Sequence, residues 1–195
     1  LKSGQAYYDN SNAAITKPDG TLWVWGADSR GSLGLNEYQG SRSSPTQVGT
    51  ETTWAFAFTT YENTYATKTD GTLWGWGGCG DGQLGLNASG DAERKSSPTQ
   101  IGTGTDWSTA DNSISGSRGG VCALKSDGTL YCWGANDGGQ LGQNNKTKYS
   151  SPRQVPGTDW RSLGAGYAST FATKTSGQLW AWGSNWGGVL GQNDT

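Results

Sequence analysis

A five-residue motif, leucine-aromatic-x-tryptophan-glycine, occurs four times along this 195-residue sequence. The copies are Leu22–Gly26, Leu73–Gly77, Leu130–Gly134 and Leu179–Gly183. Each follows an Asp-Gly or Ser-Gly turn, and glycine there supplies the positive φ that a tight hairpin needs. A Leu-Gly pair then comes eight residues after the second aromatic residue of every copy. Four copies with fixed spacing indicate tandem units of strand, turn and strand.

The longer period of the sequence places the repeat boundaries. Trp54, Trp107 and Trp160 are spaced 53 residues apart, and the same step back from Trp54 reaches Leu1. A Ser-Ser-Pro-x-Gln segment closes each of the first three units, whereas the fourth lacks it. We therefore predict one repeat domain over residues 1–195, with repeats at 1–53, 54–106, 107–159 and an incomplete one at 160–195.

The composition and the hairpin faces predict an all-β fold. Glycine accounts for 33 residues, and glycine in a helix interior costs about 1 kcal/mol relative to alanine. Trp23 and Trp25 share one face of their strand while Leu22 and Val24 share the other, so both faces require burial. Stacked blades bury both faces of a sheet. The prediction is β-propeller blades of about 50 residues with four strands each, as three full repeats and a partial fourth.

These motifs resemble the repeats of the regulator of chromosome condensation family. The matching elements are Asp-Gly-x-Leu-Trp-x-Trp-Gly, Gly-x-Leu-Gly and Ser-x-Pro-x-x-Val, and they cover nearly the whole chain. The resemblance implies a seven-bladed ring. The repeats of this sequence could close a ring with further repeats of the same chain, with partner chains, or by forming an unusually small ring. The near-identical Thr-Lys-x-Asp-Gly and Ser-Ser-Pro-Thr-Gln segments resemble repeats of phage and environmental bacterial proteins.

The same resemblance does not carry an activity to this chain. The family includes a nuclear exchange factor for a small GTPase whose site uses a histidine, and this sequence contains none. Many family repeats also have a histidine before the second strand, where this sequence has Asn63 and Ser169. We therefore transfer neither exchange activity nor any of the family's site residues.

The sequence indicates no reaction centre, metal site or cofactor. Without histidine, neither a Ser-His-Asp triad nor a histidine-based zinc site can form. Asp19, Asp70 and Asp127 recur beside glycine, which is the preference of turn residues. A net charge of −2 without a basic cluster argues against nucleic acid binding, and no apolar run approaches the ~20 residues of a membrane helix. We expect a protein that is not an enzyme.

Two of the three cysteines flank one hairpin turn. Cys122 and Cys132 would face each other if the loop contains three residues, Ser126 to Gly128, and directly opposed strand residues lie within reach of a disulfide. The sequence leaves a cross-strand disulfide and two buried thiols as equal alternatives. A disulfide would favour an extracellular or virion-associated location. Cys79 has no evident partner in the sequence.

Candidate binding residues are those that the repeat does not explain. Trp186 stands where the other units have Ser29, Gly80 and Asp137, which suggests an exposed anchor. Interface hot spots are enriched in tryptophan, tyrosine and arginine. That preference adds four secondary candidates: Arg30, Tyr38, Tyr149 and Arg153.

We consider three functions. The first is a non-enzymatic structural or attachment module that assembles with protein partners or with copies of itself, such as a phage virion or tail-fibre component or a bacterial surface protein. The second is a secreted propeller that binds or inhibits a protein or glycan with its loop face. The third, a carbohydrate-active enzyme, requires two carboxylates facing one another in a cleft.

Overall fold

A computed structural model describes residues 2–3, 12–117 and 119–193 of the chain. Over these residues the regular structure consists of four antiparallel sheets and two short 3-10 turns, Asp91–Glu93 and Trp186–Gly188. Each sheet is a meander whose strands neighbour one another in chain order. The predicted all-β architecture of propeller blades is confirmed.

We call the four sheets blades 1 to 4. Blade 1 contains β1 (Lys2–Ser3), β2 (Asn12–Thr16), β3 (Leu22–Gly26) and β4 (Arg42–Gln47). Blade 2 contains β5 (Trp54–Thr59), β6 (Asn63–Lys68), β7 (Leu73–Gly77) and β8 (Lys95–Gln100). Blade 3 contains β9 (Ile114–Gly116), β10 (Gly120–Leu124), β11 (Leu130–Gly134) and β12 (Tyr149–Val155). Blade 4 contains β13 (Trp160–Ala165), β14 (Ser169–Lys174) and β15 (Leu179–Gly183).

The Asp-Gly turns between the second and third strands are closed by the aspartate itself. In blade 3, Asp127 Oδ1 accepts hydrogen bonds from Thr129 N at 2.9 Å and Thr129 Oγ1 at 2.6 Å. Asp70 with Thr72 and Asp19 with Thr21 repeat this arrangement. These bonds to the ionised carboxylate lower the pKa of Asp127 from its ordinary value, the threonine hydroxyl contributing most. The recurring aspartates are therefore turn residues, as the sequence predicts.

The apolar core lies between adjacent blades. One cluster packs Leu22, Val24 and Leu33 of blade 1 against Trp54 and Trp76 of blade 2, and two further clusters repeat this arrangement at the next two junctions. The leucine face of each blade thus meets the tryptophan face of the following one. This arrangement explains why both faces of the hairpins are apolar, since each interior blade is covered on both sides.

In blades 3 and 4 the second tryptophan of the motif links neighbouring blades by a hydrogen bond as well as by packing. Trp133 is fully buried, and its Nε1 donates to Gln83 O of blade 2 at 2.8 Å. In blade 4, Trp182 Nε1 donates to Gln140 O of blade 3 at 2.9 Å. Edge-to-face contacts with the tryptophan near the start of each repeat hold the rings in place, for example Trp160 to Trp182 at 5.8 Å. These tryptophans are structural, as the sequence indicates.

Candidate interaction surface

Blade 4 leaves uncovered the face that the other blades bury. Leu179 is 70% exposed, although its counterparts Leu22, Leu73 and Leu130 are completely buried. Val189 is 46% exposed. We define the tail face as Leu179, Ala181, Val189, Leu190 and Gly191. Within the described residues, the tail face is therefore an exposed apolar surface.

The glycine of the Leu-Gly pair shows what normally covers this face. A Cβ built on Gly85 would lie 2.8 Å from Trp133 Nε1, and one on Gly142 would lie 2.9 Å from Trp182 Nε1. Each glycine therefore forms a cradle in which the ring of the following blade rests. A Cβ on Gly191 would have no atom within 4 Å. The described residues place no such ring beside Gly191.

The third strand of blade 4 also has a free edge. In blades 1 to 3 the third strand pairs with a fourth, as β11 pairs with β12. Within the described residues, β15 pairs with β14 alone. An open strand edge presents backbone donors and acceptors to which a further strand can add. Trp180, which flanks this edge, is 48% exposed.

The opposite end of the series presents the complementary surface. We define the head face as Ala13, Ile15, Trp23 and Trp25, all of which are partly exposed. Their counterparts in blade 2 include Thr64, Ala66 and Trp76, which are completely buried against blade 1. The head face therefore carries the tryptophan side of an interblade junction, and the tail face carries the leucine side.

Trp186 is the most exposed of the sequence-predicted binding residues. It lies at the start of the 3-10 turn that follows β15, and 91% of its surface is accessible. The tail-face residue Val189 comes at the end of the same turn. The structure thus places Trp186 on the same open end of the chain, as an exposed aromatic side chain.

Arg30 and Tyr38 lie together at the junction of blades 1 and 2. They line a cavity of about 500 Å³ with Arg94 from blade 2. Arg30 forms ion pairs across the junction with Glu62 and Asp91, and the guanidinium of Arg94 lies 4.5 Å from the Tyr38 ring. The contacts of Arg30 therefore join two blades, whereas Tyr38 is 42% exposed.

Tyr149 and Arg153 lie on β12, apart from the other predicted residues. The Arg153 guanidinium is 5.2 Å from the centre of the Tyr149 ring, and Tyr149 Oη accepts a hydrogen bond from Asn145 Nδ2 at 3.1 Å. The five candidate residues are therefore distributed over three places rather than forming one site. Neither the repeat departure at Trp186 nor the residue types of the other four reveal this distribution, because the sequence does not show which parts of different blades meet.

Comparison with known proteins agrees with this architecture. Models of the regulator of chromosome condensation (RCC1) repeat match residues 113–140 and 127–173. The crystal structure of Prp20p from Saccharomyces cerevisiae superposes with a TM-score of 0.79 at 17% identity, over 98% of this chain and 50% of that one. The chain belongs to the RCC1 repeat family.

Two RCC1-type relatives are similar over most of this chain but are much longer. The X-linked retinitis pigmentosa GTPase regulator of Canis lupus familiaris is 33% identical over 148 residues, which are 75% of this chain and 14% of the relative. The ultraviolet-B receptor UVR8 of Arabidopsis thaliana is 34% identical over 146 residues, 73% of this chain and 31% of the receptor. This chain thus spans less than a third of the length of either relative.

In blade 1, Asp28 occupies the loop position that Asn136 holds in blade 3. Asn136 Oδ1 accepts from Leu141 N at 3.0 Å, and its Nδ2 donates to Asn145 O and Thr147 O, both at 2.9 Å. Asp28 Oδ1 likewise accepts from Leu33 N at 3.0 Å, but its buried Oδ2 has no hydrogen-bond partner. Burial raises the pKa of the Asp28 carboxyl above its ordinary value.

Replacing Asp28 with asparagine should stabilise the protein near neutral pH by about 1 kcal/mol. The amide can donate to carbonyl oxygens of the loop, whereas the ionised carboxylate cannot. The folded-state pKa of Asp28 is raised, so its stabilising contribution is present at low pH and is lost as pH rises through that pKa. The advantage of Asp28→Asn should therefore disappear in acid. Urea unfolding of both proteins, from neutral pH down into acid, measures this difference in the free energy of unfolding.

Asn136→Asp provides the matched control for this prediction. It should lose stability near neutral pH and recover it in acid, since the same loop position then receives the carboxyl group. If Asp28→Asn and the wild type show parallel stability profiles with pH, Asp28 has no part in the pH dependence.

The cavity beside Asp28 offers no second acidic residue among the described residues that line it, so it lacks the carboxylate pair of a glycoside hydrolase.

All three cysteines of the chain occupy buried positions. Cys122 and Cys132 are directly paired across β10 and β11, and their sulfur atoms are joined at 2.04 Å. Lys125 N donates a hydrogen bond to Thr129 O at 2.9 Å. The turn that this bond closes contains three residues, which is the loop length that the facing of Cys122 and Cys132 requires. Cys79 Sγ donates to Ala88 O at 3.4 Å, and burial raises the pKa of its thiol. No group of three potential metal ligands occurs within the described residues, and none of their helices has the length and apolarity needed to cross a bilayer.

Proposed function

We propose that the chain is a non-catalytic assembly module that binds a protein partner through the tail face of blade 4. The observation that carries this proposal is the exposure of Leu179, whose three counterparts are completely buried by a following blade. Covering a leucine side chain of this kind contributes about 1.5–3 kcal/mol. The left-handed backbone of Gly191 and, within the described residues, the unpaired edge of β15 add shape and backbone hydrogen bonding to this apolar surface.

The properties of related structures support a protein partner. Prp20p, which shares the fold, has binding properties toward Gsp1p and histones. The fold alone is shared at this level of identity, so neither partner is transferred to this chain. A propeller-type scaffold places rigid sheets behind its exposed ends and loops, which is the arrangement that protein recognition uses.

For the biological setting we propose a structural or attachment role, as in a phage virion, a tail fibre or a bacterial surface protein. The disulfide between Cys122 and Cys132 supports an extracellular or virion-associated location, because such bonds persist in oxidising environments. An alternative is a secreted propeller that binds or inhibits a protein or glycan through its loops. The exposure of Trp186 supports this alternative, since tryptophan rings are common interface anchors.

Site-specific photo-crosslinking tests the assembly function. A photoreactive amino acid at position 189, within the tail face, is expected to capture a protein from the organism that produces the chain, identified by mass spectrometry. The same residue at Ser44, which is exposed on β4 of blade 1, serves as the control. Leu179→Glu in the position-189 protein should abolish the crosslink. Equal labelling at both positions, or none at position 189, would exclude the tail face as the binding surface.

A further inference from the structure

The junction between blades 1 and 2 contains a polar cavity of about 500 Å³. Its wall consists of residues 27–30 and 38–41 of blade 1 together with Arg94 of blade 2. Both blades that build this junction are described, so the cavity belongs to the interior of the series. Pockets that bind small ligands have volumes of about 300–1,000 Å³. The cavity therefore has the size of a small-molecule site.

The charges at this junction differ from those at the next one. Between blades 2 and 3, Lys148 Nζ lies 2.7 Å from Asp81 Oδ1 and 3.5 Å from Asp137 Oδ2. Counted from the Ser-Ser-Pro and Leu-Gly segments, Arg94 holds the position of Lys148, and Arg30 holds that of Asp81. An arginine thus replaces the closer carboxylate. Over the part of the chain that the structure describes, Arg94 forms no ion pair.

The other charged groups around the cavity do not neutralise Arg94. Arg30 Nε lies 3.1 Å from Glu62 Oε1, and Arg30 Nη1 pairs with Asp91. These two carboxylates fix the Arg30 side chain across the junction and offset its charge. Asp28 in the wall is buried and forms no ion pair with either arginine. Arg94 is therefore the cation at this cavity that lacks an acidic partner.

Tyr38 holds the Arg94 guanidinium in place. The guanidinium carbon lies 4.5 Å from the centre of the Tyr38 ring, and Tyr38 Oη donates to Arg94 O at 3.5 Å. A contact with the ring uses the flat face of the guanidinium and leaves its N–H groups available. Those groups form the fork that binds a carboxylate through two parallel hydrogen bonds. The Tyr38 ring is 42% exposed and provides an apolar surface beside this fork.

The rest of the lining fits a ligand with several hydroxyl groups. Ser29, Ser41 and Gln39 provide two hydroxyls and an amide, and all three side chains both donate and accept hydrogen bonds. The hydroxyls of a sugar also do both, and the C–H face of a sugar ring packs against an aromatic ring. A simple anion would use the fork alone, whereas an uncharged sugar would leave the fork without an acid. A sugar that carries a carboxylate uses every feature of the lining.

We infer that this cavity binds a carboxylated saccharide, the class that includes oligomers of uronic acids. The carboxylate pairs with the Arg94 guanidinium, the sugar ring packs on Tyr38, and the ring hydroxyls bind Ser29, Ser41 and Gln39. The inference rests on the loop-binding alternative of the proposed function, to which it gives a ligand class. It does not depend on the tail face.

Isothermal titration with matched sugars tests the site. The probes are trimers of galacturonic, mannuronic and guluronic acid, each with its methyl ester, which removes the charge and keeps the shape. The wild type is expected to bind at least one acid about tenfold more tightly than its ester. Arg94→Gln should abolish this preference, and Tyr38→Ala should weaken binding of acid and ester alike. Circular dichroism and thermal unfolding establish that both variants are folded.

Arg153→Gln is the matched control, because the Arg153 guanidinium also contacts a tyrosine ring, that of Tyr149 at 5.2 Å, but lies outside the cavity. It should bind like the wild type. The inference is wrong if none of the acids binds, if acid and ester bind equally, or if Arg153→Gln loses as much affinity as Arg94→Gln. Acetate that binds as tightly as the trimers would also overturn it, because a simple anion site would then suffice.

The outcomes separate this inference from the functions proposed above. Equal binding of acid and ester would retain a glycan-binding loop face and exclude the carboxylated class. A specific crosslink at position 189 without binding of any trimer would retain the tail-face function and exclude this cavity as a saccharide site. Binding of an acid trimer without a crosslink would retain the cavity and exclude the tail face.

Discussion

Replacing Gly85 with alanine is expected to lower the free energy of unfolding by about 2–5 kcal/mol, and the same change at Gly191 by only about 1–2 kcal/mol. Both glycines have nearly the same backbone, with φ of 68° and 67°, so the cost of a left-handed alanine is common to the two variants. At Gly85 the new methyl group would also meet Trp133 Nε1 at 2.8 Å and Ile101 Cγ2 at 3.0 Å. Trp133 is fully buried and has no room to withdraw. The difference between the variants therefore measures the interblade contact.

Urea unfolding followed by tryptophan fluorescence measures both variants. The comparison is made in the Leu179→Glu background, so that association through the tail face cannot add stability to one member of the pair. Equal losses at Gly85 and Gly191 would show that Trp133 and Ile101 accommodate the added methyl group without cost.

The repeat and the blade architecture follow from the sequence because they depend on local spacing. The motif fixes which residues of a hairpin share a face, and two apolar faces require neighbours on both sides. Asp127 could be recognised as a turn residue for the same reason, since its partner Thr129 lies two positions away. The position of Cys122 opposite Cys132 needed only the length of one loop, whereas the sequence left a disulfide and two buried thiols as equal alternatives.

The contacts between blades are less accessible to sequence reasoning. Arg30 is a candidate because of its residue type, but its partners Glu62 and Asp91 belong to loops of the next blade and cannot be read from the sequence. Leu179 shows no departure at all, because its motif matches those of the buried leucines. Its exposure follows from what packs against the blade, which the motif does not encode.

A recurring lysine was missed, although the sequence contains its signal. Lys68 Nζ lies 4.0 Å from the centre of the Trp74 ring and 4.8 Å from that of Trp54, and it pairs with Glu51 at 2.8 Å. Lys125 and Lys174 make the equivalent ring contacts in blades 3 and 4. The repeated lysine two residues before each turn Asp or Ser could have indicated this shared role, because cations favour the faces of aromatic rings.

Removing the disulfide with the double change Cys122→Ala and Cys132→Ala is expected to lower the free energy of unfolding by about 2–3 kcal/mol. The bond closes a loop with a sequence separation of 10 residues, and that constraint restricts the unfolded chain. Both sulfur atoms are also buried in the junction between blades 3 and 4. Unfolding of the wild type should therefore shift to lower urea concentration when a thiol reductant is added, whereas the double variant should not respond.

Cys79→Ala is the control for this experiment, because it removes the third cysteine and should keep the full response to reductant. The native chain should also be lighter than the reduced chain by the mass of two hydrogen atoms. A wild type whose unfolding is insensitive to reductant, with the mass of the reduced chain, would exclude the bond. The result also bears on location, since a chain that loses this much stability on reduction is better suited to an oxidising compartment than to a reducing cytosol.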